Sequence, residues 1–227
     1  MKGFTLIEIA VVLAVVALLL GGLLVPVSAR IDRQNRISTE ESMEIILEAL
    51  EGYAATNGYL PCPAVSAANG AEDRTAGICN KRSGFVPWVA LGTPKADAWG
   101  NLFQYSVTPA FSSSVAPFSF NTAEDITIRT RDFGGNLVNL SNLNSIPAVI
   151  LSFGRDGFGA TSQAGSAQTA PPASNVDELT NAAGATNFVS RTEVDDRNAL
   201  NGEFDDIVDW VPPYVLMNRM VQAGRLP

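Results

Sequence analysis

Glu8 is a carboxylate set inside an apolar run. From Phe4 to Val27 the only strongly polar side chains are Thr5 and Glu8. At about 1.5 Å per residue, such a run can cross a bilayer as a helix. Burying an ionised carboxylate there costs roughly 2.5–3.5 kcal/mol or more, so an acid in a span points to function and to a cationic partner.

The rest of the chain is poor in catalytic groups. It has 227 residues and no histidine, which removes the commonest general base and rules out Ser-His-Asp and Cys-His arrangements. No glycine loop followed by Lys-Ser/Thr is present to cradle a phosphate. Asp132-Phe133-Gly134 matches a kinase tripeptide without the remainder of that signature. The chain is therefore not expected to be an enzyme. A net charge of −8 argues against nucleic acid as a partner. Arg74, Lys81 and Arg82 make a small basic group, expected to be solvated surface. Cys62 and Cys79 are the only cysteines. They read as a disulfide in an oxidising compartment, with two buried free thiols as the alternative. Two thiols without histidine do not fill a zinc shell.

Lys2-Gly3-Phe4-Thr5-Leu6-Ile7-Glu8 resembles the processing site of type IV prepilins and type II secretion pseudopilins. The resemblance implies a membrane peptidase that cuts after Gly3 and methylates Phe4. It also implies that Glu8 guides assembly by pairing, inside the lipid, with the cationic amine of an incoming subunit. The pairing offsets the burial cost only in the right register. Two other readings compete for the segment. One is a cleaved signal peptide ending at Val27-Ser28-Ala29, although the run is longer than a usual hydrophobic region. The other is a plain anchor with an accidental glutamate.

A helix must carry these residues. Gly21-Gly22 and Pro26 predict an interruption, either a kink or, by the family resemblance, a stretch over 17–26 that extends on assembly. Beyond it, Met43, Ile46, Leu47, Leu50, Tyr53 and Ala54 form one apolar face and Gly58 a C-cap. Arg30, Arg33 and Arg36 follow the apolar run while only Lys2 precedes it. The positive-inside rule would keep those arginines in the cytoplasm, whereas the processing site and disulfide require them outside. Dedicated insertion of prepilin-like chains favours the latter, and the arginines are expected to pair with glutamates of adjacent subunits. Residues 59–100 read as loop, residues 102–107, 125–131, 148–153 and 207–211 as strands, and residues 212–224 as a short helix. Residues 161–202 are poor in large apolar side chains and read as a surface excursion.

The globular half extends the resemblance. Asp97-Ala98-Trp99-Gly100-Asn101-Leu102-Phe103-Gln104-Tyr105 is similar to the Asp-x-Trp-Gly-Asn-x-Tyr segment of major pseudopilins. Ser152-Phe153-Gly154-Arg155-Asp156-Gly157 followed by Asp205-Asp206-Ile207-Val208 looks like their C-terminal strand-loop-strand, which binds calcium. By that resemblance Asp156, Asp205 and Asp206 stand at ligand positions, and carboxylates with loop carbonyls suit the ion. A solvated acidic loop is the alternative. The insertion of about 40 residues, the C-terminal helix and the disulfide depart from the shortest members and favour a minor or specialised subunit.

The expected fold is α+β and pilin-like: a long N-terminal helix, transmembrane in its first half, packed on a small antiparallel sheet beside a disulfide-closed loop. Residues 1–3 form the leader, 4–57 the helix with its span at about 4–27, and 58–227 the globular domain. The expected role is a structural subunit of a type IV pilus or type II secretion pseudopilus. Its partners would be other pilin or pseudopilin subunits, the prepilin peptidase, an inner-membrane assembly platform and membrane lipid. The chain would cross the inner membrane once, with its globular domain in the periplasm or on an extracellular filament. The alternative is a membrane-anchored or secreted periplasmic binding protein that never polymerises.

Overall fold

Thr5 caps the long helix α1, Leu6–Asn57. A computed structural model of the chain describes residues 5–184 and 186–226, with the backbone alone for residues 18–27. Gly3 and Phe4, the expected processing residues, lie outside the described residues. The expected break at Gly21-Gly22 and Pro26 does not divide the helix, which spans 52 residues. One proline removes a single donor and can bend a helix without ending it. Among the described residues no helix is long and apolar enough to cross a membrane. The span expected at 4–27 takes in Phe4 and the side chains of 18–27, which lie outside them.

α1 ends where glycine allows it to. Gly58 sits at φ 89° and returns its N–H to the Ala54 carbonyl at 2.7 Å, a left-handed cap that other residues adopt at a cost. The predicted face is the buried one. Met43, Ile46, Leu50 and Ala54 are sealed, and Leu47 packs beside them. Each large side chain so buried contributes about 1.5–3 kcal/mol.

The loop region expected at 59–100 contains short elements. β1 (Arg74–Thr75) and β2 (Ile78–Cys79) form a hairpin, followed by β3 (Ser83–Phe85) and the single turn α2 (Trp88–Leu91). The Cys62–Cys79 disulfide closes this region on itself. Glu72 accepts the Cys62 N–H at 3.0 Å and the hydroxyl of Tyr53, on α1, at 2.8 Å. The basic group is not solvated surface as expected. Arg74 lies 4.5 Å over the Tyr59 ring and donates to Glu72 at 3.0 Å and the Ser112 carbonyl at 2.6 Å. Arg82 clamps Asp125 with two bonds of 2.8 Å. Glu72 is local, but the Ser112 carbonyl and Asp125 come from 38 and 43 residues away, and local charge counting cannot see such partners.

The remaining elements are β4 (Gln104–Val107), β5 (Thr127–Arg131), β6 (Leu137–Asn139), β7 (Ala148–Ser152), α3 (Val176–Ala182), β8 (Asn187–Val189), β9 (Ile207–Trp210) and α4 (Pro213–Gln222). The main sheet runs β3-β4-β7-β9, antiparallel throughout. A second sheet, β6-β5-β8, was not foreseen; within it β5 and β8 are parallel. β7 explains the unbroken apolar run predicted at 148–153. Its Ala148 and Ile150 face the core shared with α1 and α4, while Val149 and Leu151 face a second core with Ile126, Ile128 and Phe188. Alternate residues of a strand point to opposite faces, so a strand buried on both must be apolar throughout.

The region expected as a surface excursion is mixed. Residues 163–170 are exposed, but Asn175, Asp177, Glu178 and Asn181 are almost fully buried. Asp177 pairs with Arg131 at 2.6 Å and Arg191 at 2.7 Å. Asn181 accepts the Val189 N–H at 2.7 Å and donates to the Val189 carbonyl at 3.0 Å. These polar side chains are buried because each finds partners.

Candidate functional site

At the amino end, Glu8 lies one turn into α1 and folds back on its own cap. Its Oε2 accepts the Thr5 N–H at 2.8 Å and the Thr5 hydroxyl at 2.8 Å, and its N–H donates to Thr5 Oγ1 at 3.4 Å. This reciprocal pattern is a capping box. The carboxylate thus turns back onto the helix's own amino-terminal cap.

The Asp97 turn fastens the sheet to the helix. Asp97 accepts the N–H groups of Trp99 at 3.0 Å and Asn101 at 2.9 Å, and the Ser152 hydroxyl at 2.7 Å. Gly100 takes φ 88° between them. Ala98 N–H donates to Thr39 Oγ1 of α1 at 3.2 Å. The Asp-x-Trp-Gly-Asn residues therefore build a structural joint between α1, β7 and the start of β4.

Below that joint, Asp156, Glu178 and Asp205 converge, with one carboxylate oxygen from each within 4.8 Å of the others. Asp205 Oδ2 accepts the Asp156 N–H at 2.9 Å, and Glu178 Oε1 accepts the Asp205 N–H at 3.3 Å. Asp205 Oδ1 is buried and has no partner. Burial, then repulsion from Asp156, pushes Asp205 up to about 7. Burial chiefly, with Asp156 adding against the Asn175 amide, pushes Glu178 up to about 7. Asp156 is raised by burial as well.

These residues fit a hard divalent cation. The orphaned Asp205 oxygen lacks a charge to coordinate it, and three carboxylates that resist ionising together would ionise around an ion such as calcium. The backbone approaches closely at the same place. Gly154, at φ +61°, would carry a Cβ only 2.5 Å from Asp205 Oδ1. Of the residues singled out in the sequence, the fold brings Asp156 and Asp205 together. Asp206 is buried beside the three, accepting from Asn181 Nδ2 at 2.8 Å, and burial and then the charges of Glu178, Asp205 and Asp156, against that hydrogen bond, raise it. Glu178 was missed. It lies in the insertion, and only its apolar neighbours Val176 and Leu179 hinted that this stretch forms a helix.

The cluster is tied to α1. Arg155, next to Asp156, reaches Asp195 at 2.6 Å and Asp32 of α1 at 3.7 Å, while Arg36 reaches Glu193 at 3.1 Å.

The chain carries the prokaryotic N-terminal methylation motif, the signature of type IV pilins and pseudopilins. Its residues 1–24 match the family model of that description. The match covers the amino-terminal segment and does not extend to the globular half. No curated protein and no solved structure matches the chain.

Proposed function

We propose that this chain is a structural subunit of a type IV pilus or a type II secretion pseudopilus, cut after Gly3 and N-methylated at Phe4. One observation carries the reading: the methylation motif at 1–24 takes in the first turns of α1, whose residues 9–17 are apolar on every side. Leu6, Ile7, Ile9, Val11, Val12, Leu13, Val15 and Val16 are all exposed in the single chain. A helix apolar all round needs a cover. Lipid supplies it before assembly and neighbouring helices supply it afterwards. The globular domain then lies in the periplasm or on an extracellular filament, with prepilin peptidase, an inner-membrane assembly platform and fellow subunits as partners. The role is structural rather than catalytic.

The insertion with α3 and β8, the disulfide loop and α4 favour a minor or specialised subunit over a bulk one. In this reading Asp156, Glu178 and Asp205 hold calcium and fasten the loop after β7 to the insertion. The test is the mass of the mature amino-terminal peptide from native membranes. A chain beginning at N-methylated Phe4 supports the reading; one beginning near Ile31, or at Met1, ends it.

A further inference from the structure

Where Arg36 and Arg155 tie α1 to the insertion, the molecule holds a cavity of about 370 Å³. Ser28, Ala29 and Arg33 line it from α1, and Trp99 lines it from the Asp97 turn. Its volume is that of a small-molecule site.

The cavity carries both signs of charge. Arg33, Arg36 and Arg155 supply guanidinium groups, and Asp32, Glu193, Asp195 and Asp205 supply carboxyl groups. These charges are unevenly spent. Arg36 pairs with Glu193 at 3.1 Å and Arg155 with Asp195 at 2.6 Å. Asp205 belongs to the carboxylate cluster. One charge of each sign is left over. Asp32 is held only at 3.7 Å, by Arg155. Arg33 is exposed and makes no side-chain hydrogen bond or ion pair among the described residues.

The place of the cavity on α1 sets its height. Ser28 and Ala29 directly follow the apolar run that ends at Val27. At about 1.5 Å per residue, Ser28 to Arg33 lie within ~9 Å of that end. The headgroup layer of a bilayer is about 5–7 Å deep on each side of its hydrocarbon. Under the proposed function, on which this inference rests, the run lies in lipid and the first turns of the cavity wall lie among headgroups. Tryptophan is common at that depth, and long arginine side chains reach headgroups from beyond it.

We propose that this cavity seats the head of a zwitterionic phospholipid with a primary ammonium, a phosphatidylethanolamine, its phosphate on Arg33 and its ammonium on Asp32. A guanidinium can meet a phosphate with two parallel bonds. A purely anionic head would meet Asp32, Glu193 and Asp195 without a cation of its own. The ammonium brings that cation and its N–H donors, whereas a choline head brings the charge without an N–H. A head seated here ties the globular domain to the membrane surface at a point other than the span, and the tie must be released when the subunit leaves the membrane for a filament.

The test is native mass spectrometry of the full-length chain, purified from native membranes and exchanged into nanodiscs of equal parts phosphatidylethanolamine, phosphatidylglycerol and phosphatidylcholine. One phosphatidylethanolamine retained per chain, in roughly fivefold excess over either other lipid, is the expected result. Arg33→Glu should lower its retention roughly fivefold, and Asp32→Asn should remove the preference over phosphatidylcholine. Glu48→Gln, farther along α1 and exposed, should change neither. Arg33 is unpaired, so its replacement leaves the packing of the domain untouched. Equal retention of the three lipids, retention of phosphatidylglycerol alone, or retention indifferent to Arg33→Glu would overturn the seat.

The same spectra give the mass of the chain and hence its amino terminus. A chain beginning at N-methylated Phe4 without selective phosphatidylethanolamine overturns the seat and leaves the subunit reading standing. A chain beginning at Met1 that retains the lipid selectively upholds the seat and ends the subunit reading. A chain beginning near Ile31 has lost Ser28, Ala29 and the apolar run, and overturns both.

Discussion

Glu8 and Thr5 hold each other at the start of α1, the Glu8 carboxylate accepting the Thr5 N–H at 2.8 Å and the Glu8 N–H donating to the Thr5 hydroxyl. Capping and charge can be separated here, because glutamine also serves in a capping box. Glu8→Ala should abolish filaments while membrane insertion persists. Glu8→Gln should keep the cap and still fail to assemble, because a neutral amide gives a cationic amine no charge partner in lipid. Filaments seen by electron microscopy with Glu8→Gln would reduce the residue's role to capping.

The carboxylate cluster sets a pH dependence. Glu178 and Asp205 have ordinary values of 4.5 and 3.8 and are pushed to about 7 in the fold. Raised carboxyls bind their protons more tightly folded than unfolded. Their contribution to stability is therefore whole below about pH 4 and is lost as pH climbs through about 7. Glu72 and Asp125 are lowered, and their effect falls below that window. In chelator, thermal unfolding should give a higher Tm at pH 5.5 than at pH 7.5, each 1 kcal/mol moving it by roughly 2–4 °C. Millimolar calcium should raise the value at pH 7.5 and close the gap. Glu178→Gln should lose most of that calcium response, and an unchanged response in this variant would exclude the insertion from the site.

The Cys62–Cys79 bridge closes a separation of 17 residues. In the chain-entropy model such a loop contributes about 3 kcal/mol. Cys62→Ser with Cys79→Ser should lower stability by about that amount in denaturant titration of the detergent-solubilised chain. The Glu72 bonds to Tyr53 and the Cys62 N–H would still tether the loop, so the loss is expected without global unfolding at room temperature.

Asp97 satisfies two backbone N–H groups and the Ser152 hydroxyl. Asp97→Ala leaves these donors unpartnered in a buried turn and should cost about 3 kcal/mol. Asp97→Asn keeps one acceptor oxygen and should cost less. Equal losses would mean that the carboxylate's charge, and not its acceptor count, holds the joint.

Much of this molecule was legible locally. The apolar run with Glu8, the motif at Gly3 and Phe4, the buried face of α1, the Gly58 cap and the four principal strands all depend on short-range spacing. Patterns of 3.6 and 2 residues report which side of an element meets a core. β7 was legible for the same reason, since burial on both faces demands an unbroken apolar run.

Tertiary structure decided what local pattern does not encode. Asp177, Glu178 and Asn181 have the composition of a surface, and they are buried because Arg131, Arg191, Val189 and Asp205 arrive from other segments to satisfy them. The same holds for Arg74 and Arg82. A buried polar side chain is tolerated only with its partner in place, and for Asp177, Glu178, Arg74 and Arg82 such partners lie 46, 27, 38 and 43 residues away. For that reason Glu8 could be named from the sequence alone, whereas Glu178 entered the carboxylate cluster only once β8 had paired with β5 and carried α3 onto the loop after β7.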